Sequence, residues 1–223
     1  MLKSLFSRKS AARQQDPTIP EDQRVYAIGD VHGRRDLLEQ LLAQIDADDA
    51  ARGAANTIVI FLGDLVDRGP DSRGVIDLAM AYHARRPGTR FLMGNHEEVY
   101  LAAAAGSESA TRFFYRIGGK ETILSYDISQ AEVDALDMAS LAQRLGSLFG
   151  PDHIAFVRGF EDQIVIGDYL FVHAGIRPGV PLAEQKPKDL RWILRDDRLC
   201  QPPARLTTSA SSMASYHHHR RCR

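Results

Sequence analysis

Thr57-Ile58-Val59-Ile60-Phe61-Leu62-Gly63-Asp64-Leu65-Val66-Asp67-Arg68-Gly69 is an apolar run that breaks off into glycine and charge. The six residues up to Leu62 have no charged interruption and read as a buried strand. Gly63 ends it, and two aspartates and an arginine follow where the strand opens into a loop. Strand ends of this kind are where α/β proteins place their chemistry. The pattern recurs on either side. Upstream, Val25-Tyr26-Ala27-Ile28 runs into Gly29-Asp30-Val31-His32-Gly33. Downstream, Arg90-Phe91-Leu92-Met93 runs into Gly94-Asn95-His96-Glu97.

The intervals between these strands read as helices. From Asp36, a candidate N-cap, Leu37, Leu38, Leu41, Leu42 and Ile45 follow helical spacing until Arg52-Gly53. Asp71-Ser72 opens a second helix through Val75, Ile76, Ala79 and Tyr82, ended by Pro87-Gly88. Strands at about 24–29, 57–62 and 89–93 alternating with helices predict parallel pairing. Residues 97–160 change character and predict a helical insertion covering the loop ends. Its aromatic cluster Phe113-Phe114-Tyr115 is expected to pack the insertion onto the core. Gln163–Ile166 and Tyr169–Val172, joined by Gly167-Asp168, read as a hairpin that delivers His173-Ala174-Gly175. A helical turn is expected within 189–195. The expected organisation is a basic disordered tail over 1–23, a domain over 24–199 and a disordered tail over 200–223.

The chain has 223 residues, 44% hydrophobic and 26% charged, enough for one sizeable core. A formal net charge of -1 gives no bulk attraction to nucleic acid or anionic lipid. Cys200 and Cys222 make neither a disulfide framework nor a cysteine metal site, which fits a cytoplasmic location. No apolar run approaches membrane-spanning length, and no stable membrane association is expected.

Asp30, His32, Asp64, Asn95 and His173 together supply the carboxylate, amide and imidazole donors that divalent cations favour. A pair of cations about 3.5–4 Å apart needs a bridging carboxylate, and Asp64 on the middle motif suits that place. A metal-bound water loses its proton near a pKa of about 7 and becomes a nucleophile for phosphorus. Arg68 suits a phosphate clamp. His96 suits the proton donor to the leaving group, oriented by Asp67.

The set of four motifs, Gly29-Asp30-x-His32-Gly33, Gly63-Asp64-x-x-Asp67-Arg68-Gly69, Gly94-Asn95-His96-Glu97 and His173-Ala174-Gly175, resembles the phosphoprotein phosphatase family of metallophosphoesterases in its compact bacterial form. The resemblance covers roughly residues 24–195 and implies an α/β fold, a β-sandwich flanked by helices. It implies one metal on Asp30, His32 and Asp64 and another on Asp64, Asn95 and His173. Manganese is the usual metal of bacterial relatives, with iron and zinc as alternatives. The implied activity is phosphomonoester hydrolysis, first as a serine/threonine protein phosphatase. The alternatives are a hydrolase of dinucleoside polyphosphates or other small phosphoesters, and a weakly active relative acting as a binding protein.

The sequence departs from the family in one respect. The family carries a further metal ligand in a Gly-His motif after the His-Ala-Gly element, and no Gly-His follows His173 here. Trp192-Ile193-Leu194-Arg195 resembles a Trp-Ile-Arg element with one extra residue, so Arg195, Arg191 or neither is the second phosphate-binding arginine. The expectation is incomplete C-terminal strands, through truncation or a frame shift near 193–200, with His217-His218-His219 too poorly patterned to replace the ligand.

Overall fold

A computed structural model describes residues 16–193. Its frame is β1 (Gln23–Ile28), α1 (Arg35–Ala51), β2 (Asn56–Phe61), α2 (Ser72–Arg85) and β3 (Thr89–Phe91). The three strands pair in parallel in the order β1-β2-β3, with Ile28 opposite Phe61 and Phe61 opposite Phe91. Parallel pairing follows from the two intervening helices, since a tight turn cannot reverse the chain to that direction.

The alternation along β2 explains why its sequence is apolar throughout. Val59 and Phe61 join Ile28, Phe91 and the buried residues of α1 and α2 in the main core. Ile58 and Ile60 point the other way, to a smaller cluster with Leu92, Ile164 and Ile166. The last two belong to a hairpin of β4 (Ile164–Ile166) and β5 (Tyr169–Phe171), which pair antiparallel across Gly167-Asp168. The two sheets face one another through this second cluster, and the helices cover the far side of the first. This is the metallophosphoesterase α/β arrangement that the sequence predicts.

Local chemistry sets the helix limits. In α1, Leu38, Leu42 and Ile45 form the buried stripe. The expected cap at Asp36 is corrected: Arg34 precedes the helix, and Asp36 lies in the first turn, bonded to the Arg34 guanidinium at 2.8 and 2.7 Å. There its charge complements the positive end of the helix dipole. Asp71 caps α2 as expected, accepting from the Gly74 amide at 2.8 Å.

The insertion is helical: α3 (Asn95–Ala104), α4 (Glu108–Phe114), a π-helical turn (Tyr115–Gly119), α5 (Lys120–Leu124), α6 (Gln130–Asp134), α7 (Met138–Phe149) and α8 (Pro151–Arg158). Phe114 is fully buried, and Phe149 stacks on Tyr100 with ring centroids 4.4 Å apart. Burying such a ring contributes about 1.5–3 kcal/mol, which is how short helices hold together here.

Part of the stretch expected as a tail is tied down. The Thr18 amide donates to Asp168 at 3.0 Å, and the Asp168 amide donates to the Thr18 carbonyl at 2.9 Å. Residues 1–15 lie outside the described residues. At the other end, α9 (Pro187–Trp192) takes the place of the helical turn expected within 189–195, and Trp192 meets Phe113 of the insertion. Arg195, the tail over 200–223 and His217–His219 lie outside the described residues.

Candidate metal centre

The three parallel strands bring their C-terminal loops to one edge, and those loops are held in unusual backbone conformations. Among the described residues the non-glycine residues with positive φ are His32 (45°), Asp64 (55°), Asp67 (74°) and Arg68 (69°), all of them candidate site residues. Each such conformation costs about 1–3 kcal/mol and persists only where surroundings over-determine it. The determinants are visible. The amides of Val31 and His32 both donate to the Asp64 carbonyl at 2.9 Å, so the first loop hangs on the second. The second is fixed to the third by Glu97. Its carboxylate accepts from the amides of Asp64 (2.8 Å), Leu65 (2.7 Å), Val66 (3.4 Å) and Gly94 (3.0 Å). The loops also meet at backbone distance. A Cβ on Gly94 would lie 2.3 Å from Asp64 Oδ1, and one on Gly63, at φ 96°, would lie 2.7 Å from the Gly94 amide.

Asp64 lies at the middle of the converging donors. Its Oδ2 is 3.8 Å from His32 Nε2, and its Oδ1 is 3.5 Å from His173 Nε2. One carboxylate oxygen therefore faces each imidazole, as a bridging ligand requires. Ligand atoms of Asp30, Asp64 and His173 lie within 4.8 Å of one another, and so do those of His32, Asp64 and His96. The structure thus groups Asp30 with His173, on the side assigned to the second metal. It also brings His96 to the His32 side.

The tautomers suit a cation. His32 Nδ1 lies 2.9 Å from the Val66 carbonyl and His173 Nδ1 lies 2.7 Å from the Leu62 carbonyl. A carbonyl only accepts, so each Nδ1 carries the proton and each Nε2 presents a lone pair. His173 Nε2 faces Asn95 Oδ1 at 3.0 Å. That is a contact between two acceptors, relieved by a cation between them or by a flip of the amide. Asp64 and Asp30 beside it favour the cation. On the other side a cation is already present. The Arg68 guanidinium spans His32 Nε2 at 3.1 Å and His96 Nε2 at 2.9 Å, in the place where the donor set calls for positive charge. The residues therefore fit divalent metals.

His96 and Asp67 form a buried pair, with Nδ1 2.6 Å from Oδ2. Burial pushes the Asp67 carboxyl up, against the imidazole and the Thr122 hydroxyl, which favour its charge. For His96, burial opposes the charge, and the Asp67 bond with the Asp64 charge outweighs it, so the imidazole is raised. Asp67 uses both oxygens as acceptors, one from His96 and one from the Thr122 hydroxyl at 2.6 Å. That places the proton on His96 Nδ1. With Arg68 donating to Nε2, the ring is neutral. In this arrangement the Arg68 guanidinium occupies the Nε2 lone pair.

Glu97 is fully buried; burial, and next the Asp64 charge, push it up, while the backbone amides aimed at it pull it back toward the ionised form. Its structural role went unread in the sequence, where it is only the last letter of a motif. The signal was its position three residues after Gly94, the spacing of a helix capping box. Thr122, Ser72 and Gly118, which touch the Asp67-Arg68 turn, carry no such signal. Arg191 is engaged elsewhere, with Asp162 at 2.9 Å and Glu98 at 3.2 Å.

The family model of the calcineurin-like phosphoesterases matches residues 23–206. The chain belongs to the calcineurin-like phosphoesterase family. Three curated relatives of this calcineurin-like phosphoesterase share part of its length. A symmetrical bis(5'-nucleosyl)-tetraphosphatase of Delftia acidovorans is 39% identical over 40% of this chain and 28% of its own. One of Acidovorax sp. strain JS42 is 29% identical over 69% of this chain and 44% of its own. Serine/threonine-protein phosphatase 1 of Salmonella typhimurium is 34% identical over 38% of this chain and 35% of its own. The chain spans less than half the length of these relatives. Among the described residues no helix is long and apolar enough to cross a membrane.

Proposed function

We propose that this calcineurin-like phosphoesterase is a metal-dependent hydrolase whose substrate is a dinucleoside polyphosphate. The observation that carries the catalytic reading is Asp64, with one carboxylate oxygen toward His32 and the other toward His173. Divalent cations on Asp30, His32, Asp64, Asn95 and His173 supply positive charge for the nonbridging phosphate oxygens and an acidified water. The protein's own groups do the rest. Arg68 binds phosphate oxygens, His96 gives its Nε2 proton to the leaving oxygen, and Asp67 holds the ring for that transfer. Manganese is the metal to try first.

Two observations support the dinucleoside polyphosphate over the phosphoprotein that the motifs first suggest. Two of the relatives above are named as tetraphosphatases. The turn of the insertion that touches the Arg68 loop also carries Arg116, over the Phe113 ring at 5.4 Å, and Lys120 follows at the start of α5, 6.0 Å from the Tyr115 ring. Neither has a carboxylate partner among the described residues. Unpaired cations beside half-buried rings suit a ligand with several phosphates and a base. The Salmonella relative's name keeps phosphoserine and phosphothreonine proteins as the second reading.

The test is turnover of a dinucleoside tetraphosphate, a phosphopeptide and p-nitrophenyl phosphate with added manganese, beside Asp64→Asn. Faster turnover of the tetraphosphate, lost in Asp64→Asn together with metal occupancy, is the expected result. Preference for the phosphopeptide selects the second reading. Equal rates in both proteins on every substrate overturn catalysis and leave a binding protein.

A further inference from the structure

Beyond Asn95, His96 and Glu97 at the start of α3, the helical insertion returns to the site at the Asp67-Arg68 turn and holds both residues of it. The Arg68 amide donates to the Gly118 carbonyl at 2.9 Å. Gly118 sits in the π-helical turn with φ 114°, and a Cβ there would lie 2.7 Å from Arg68 Cγ. Four residues further on, in α5, Thr122 is fully buried against Asp67. Its single hydroxyl proton goes to Asp67 Oδ1 at 2.6 Å, so the 2.9 Å contact with Ser72 has Ser72 as donor. The same Thr122 oxygen accepts from the Asp67 amide at 2.9 Å. Thr122 thus grips Asp67 by its carboxylate and its backbone, while Gly118 fixes the next residue. Both gripped residues have left-handed backbones, which are the conformations that need outside support.

We infer that Thr122 and Gly118 are positioning residues for the reaction: Thr122 sets the Asp67–His96 pair for proton donation, and Gly118 sets Arg68 for phosphate. The inference rests on the phosphoesterase reading given above. It extends the insertion's part in the centre from His96 on α3 to the turn and helix that carry Gly118 and Thr122. The two residues act on different steps, so their loss has different signatures. A displaced proton donor harms turnover of poor leaving groups, while a displaced phosphate clamp harms binding.

Thr122→Val keeps the shape and removes the hydroxyl. Its kcat on an alkyl phosphate is expected to fall about tenfold or more, with a loss of about twofold on p-nitrophenyl phosphate and an unchanged KM. Thr122→Ser, which keeps the hydroxyl, is expected to restore both. Gly118→Ala is expected to raise KM and the inhibition constant of inorganic phosphate about tenfold while manganese binding stays as in the parent. A second readout needs neither metal nor substrate. In metal-free protein the low-field proton resonance of His96 Nδ1–H is expected in the parent and in Thr122→Ser, and shifted or lost in Thr122→Val. Equal losses on both phosphates, failure of serine to rescue, or an unmoved His96 resonance in a folded Thr122→Val overturns the assignment of Thr122. An unchanged KM in Gly118→Ala overturns that of Gly118. If Thr122→Val does not fold, Ser72→Ala removes the neighbouring support, and the same leaving-group bias is expected in weaker form; its absence counts against Thr122. A parent without turnover defeats the phosphoesterase reading, and the His96 resonance still decides whether Thr122 positions the pair.

Discussion

Glu97→Gln removes one oxygen and tests the claim that a single buried carboxylate joins the loops of the metal centre. In the parent, Oε1 accepts from Leu65 and Val66, and Oε2 accepts from Asp64 and Gly94. Glutamine retains one accepting oxygen. Whichever way the amide is turned, its NH2 faces two backbone amides that also donate. Each buried donor left without an acceptor costs about 1–3 kcal/mol. Two of them give a loss of about 2–6 kcal/mol, a large share of the roughly 5–15 kcal/mol that holds a domain folded. The surface exposed on unfolding barely changes. Urea denaturation in chelator should therefore show a lower midpoint with an unaltered slope. Working in chelator separates the loop effect from any loss of metal binding. A midpoint equivalent to less than about 0.5 kcal/mol from the parent would refute the reasoning, because a substitution of that size is the ordinary surface value. Glu97→Asp is a useful companion: it keeps the charge, shortens the reach, and should also destabilise.

Other expectations follow from the same geometry. His96→Asn should slow an alkyl phosphate about a hundredfold and p-nitrophenyl phosphate much less; equal losses in steady-state kinetics count against proton donation. Arg116→Ala should raise KM for a dinucleoside tetraphosphate several-fold and leave that for p-nitrophenyl phosphate alone, since only the first ligand extends beyond the clamped phosphate; equal KM values for parent and variant dismiss this rim as a contact. Tyr82 is buried and donates to Asp46 at 2.8 Å, and burial followed by Asp46 pushes its phenol up to about 12. A folded pKa above the unfolded value of roughly 10 means stability that is complete below that pH and lost as pH rises toward the folded pKa. Tyr82→Phe should be less stable at neutral pH and lose less than the parent between the two, by denaturation at a series of pH values; parallel profiles contradict this.

The strands, the hairpin and the candidate ligands were legible because each depends on local pattern. Val59, Ile60 and Phe61 are all fully buried, and an apolar run says so without knowledge of its neighbours. Gly167-Asp168 marks a two-residue turn by its own chemistry. The start of α1 was misplaced because Asp36 has the composition of a cap, and its side chain is instead taken up by Arg34. Thr122 was illegible for a different reason. Its partner Asp67 is 55 positions away, and a threonine at a buried helix position resembles any other until that contact is seen. Arg191, left open beside Arg195 as the second phosphate-binding arginine, bonds Asp162 and Glu98, contacts that its local sequence does not signal.

The bond from His173 to the Leu62 carbonyl closes a loop of 111 residues. Contacts at such separation form after local ones, because the chain must first give up the entropy of closing the loop. The β1–β3 sheet carries Asp30, His32, Asp64 and Asn95 on neighbouring strand ends, so those donors can gather as soon as that sheet exists. His173 arrives only when β4 lays Ile164 and Ile166 against Ile60 and Leu92. A centre that includes His173 would therefore be complete only once the hairpin has docked.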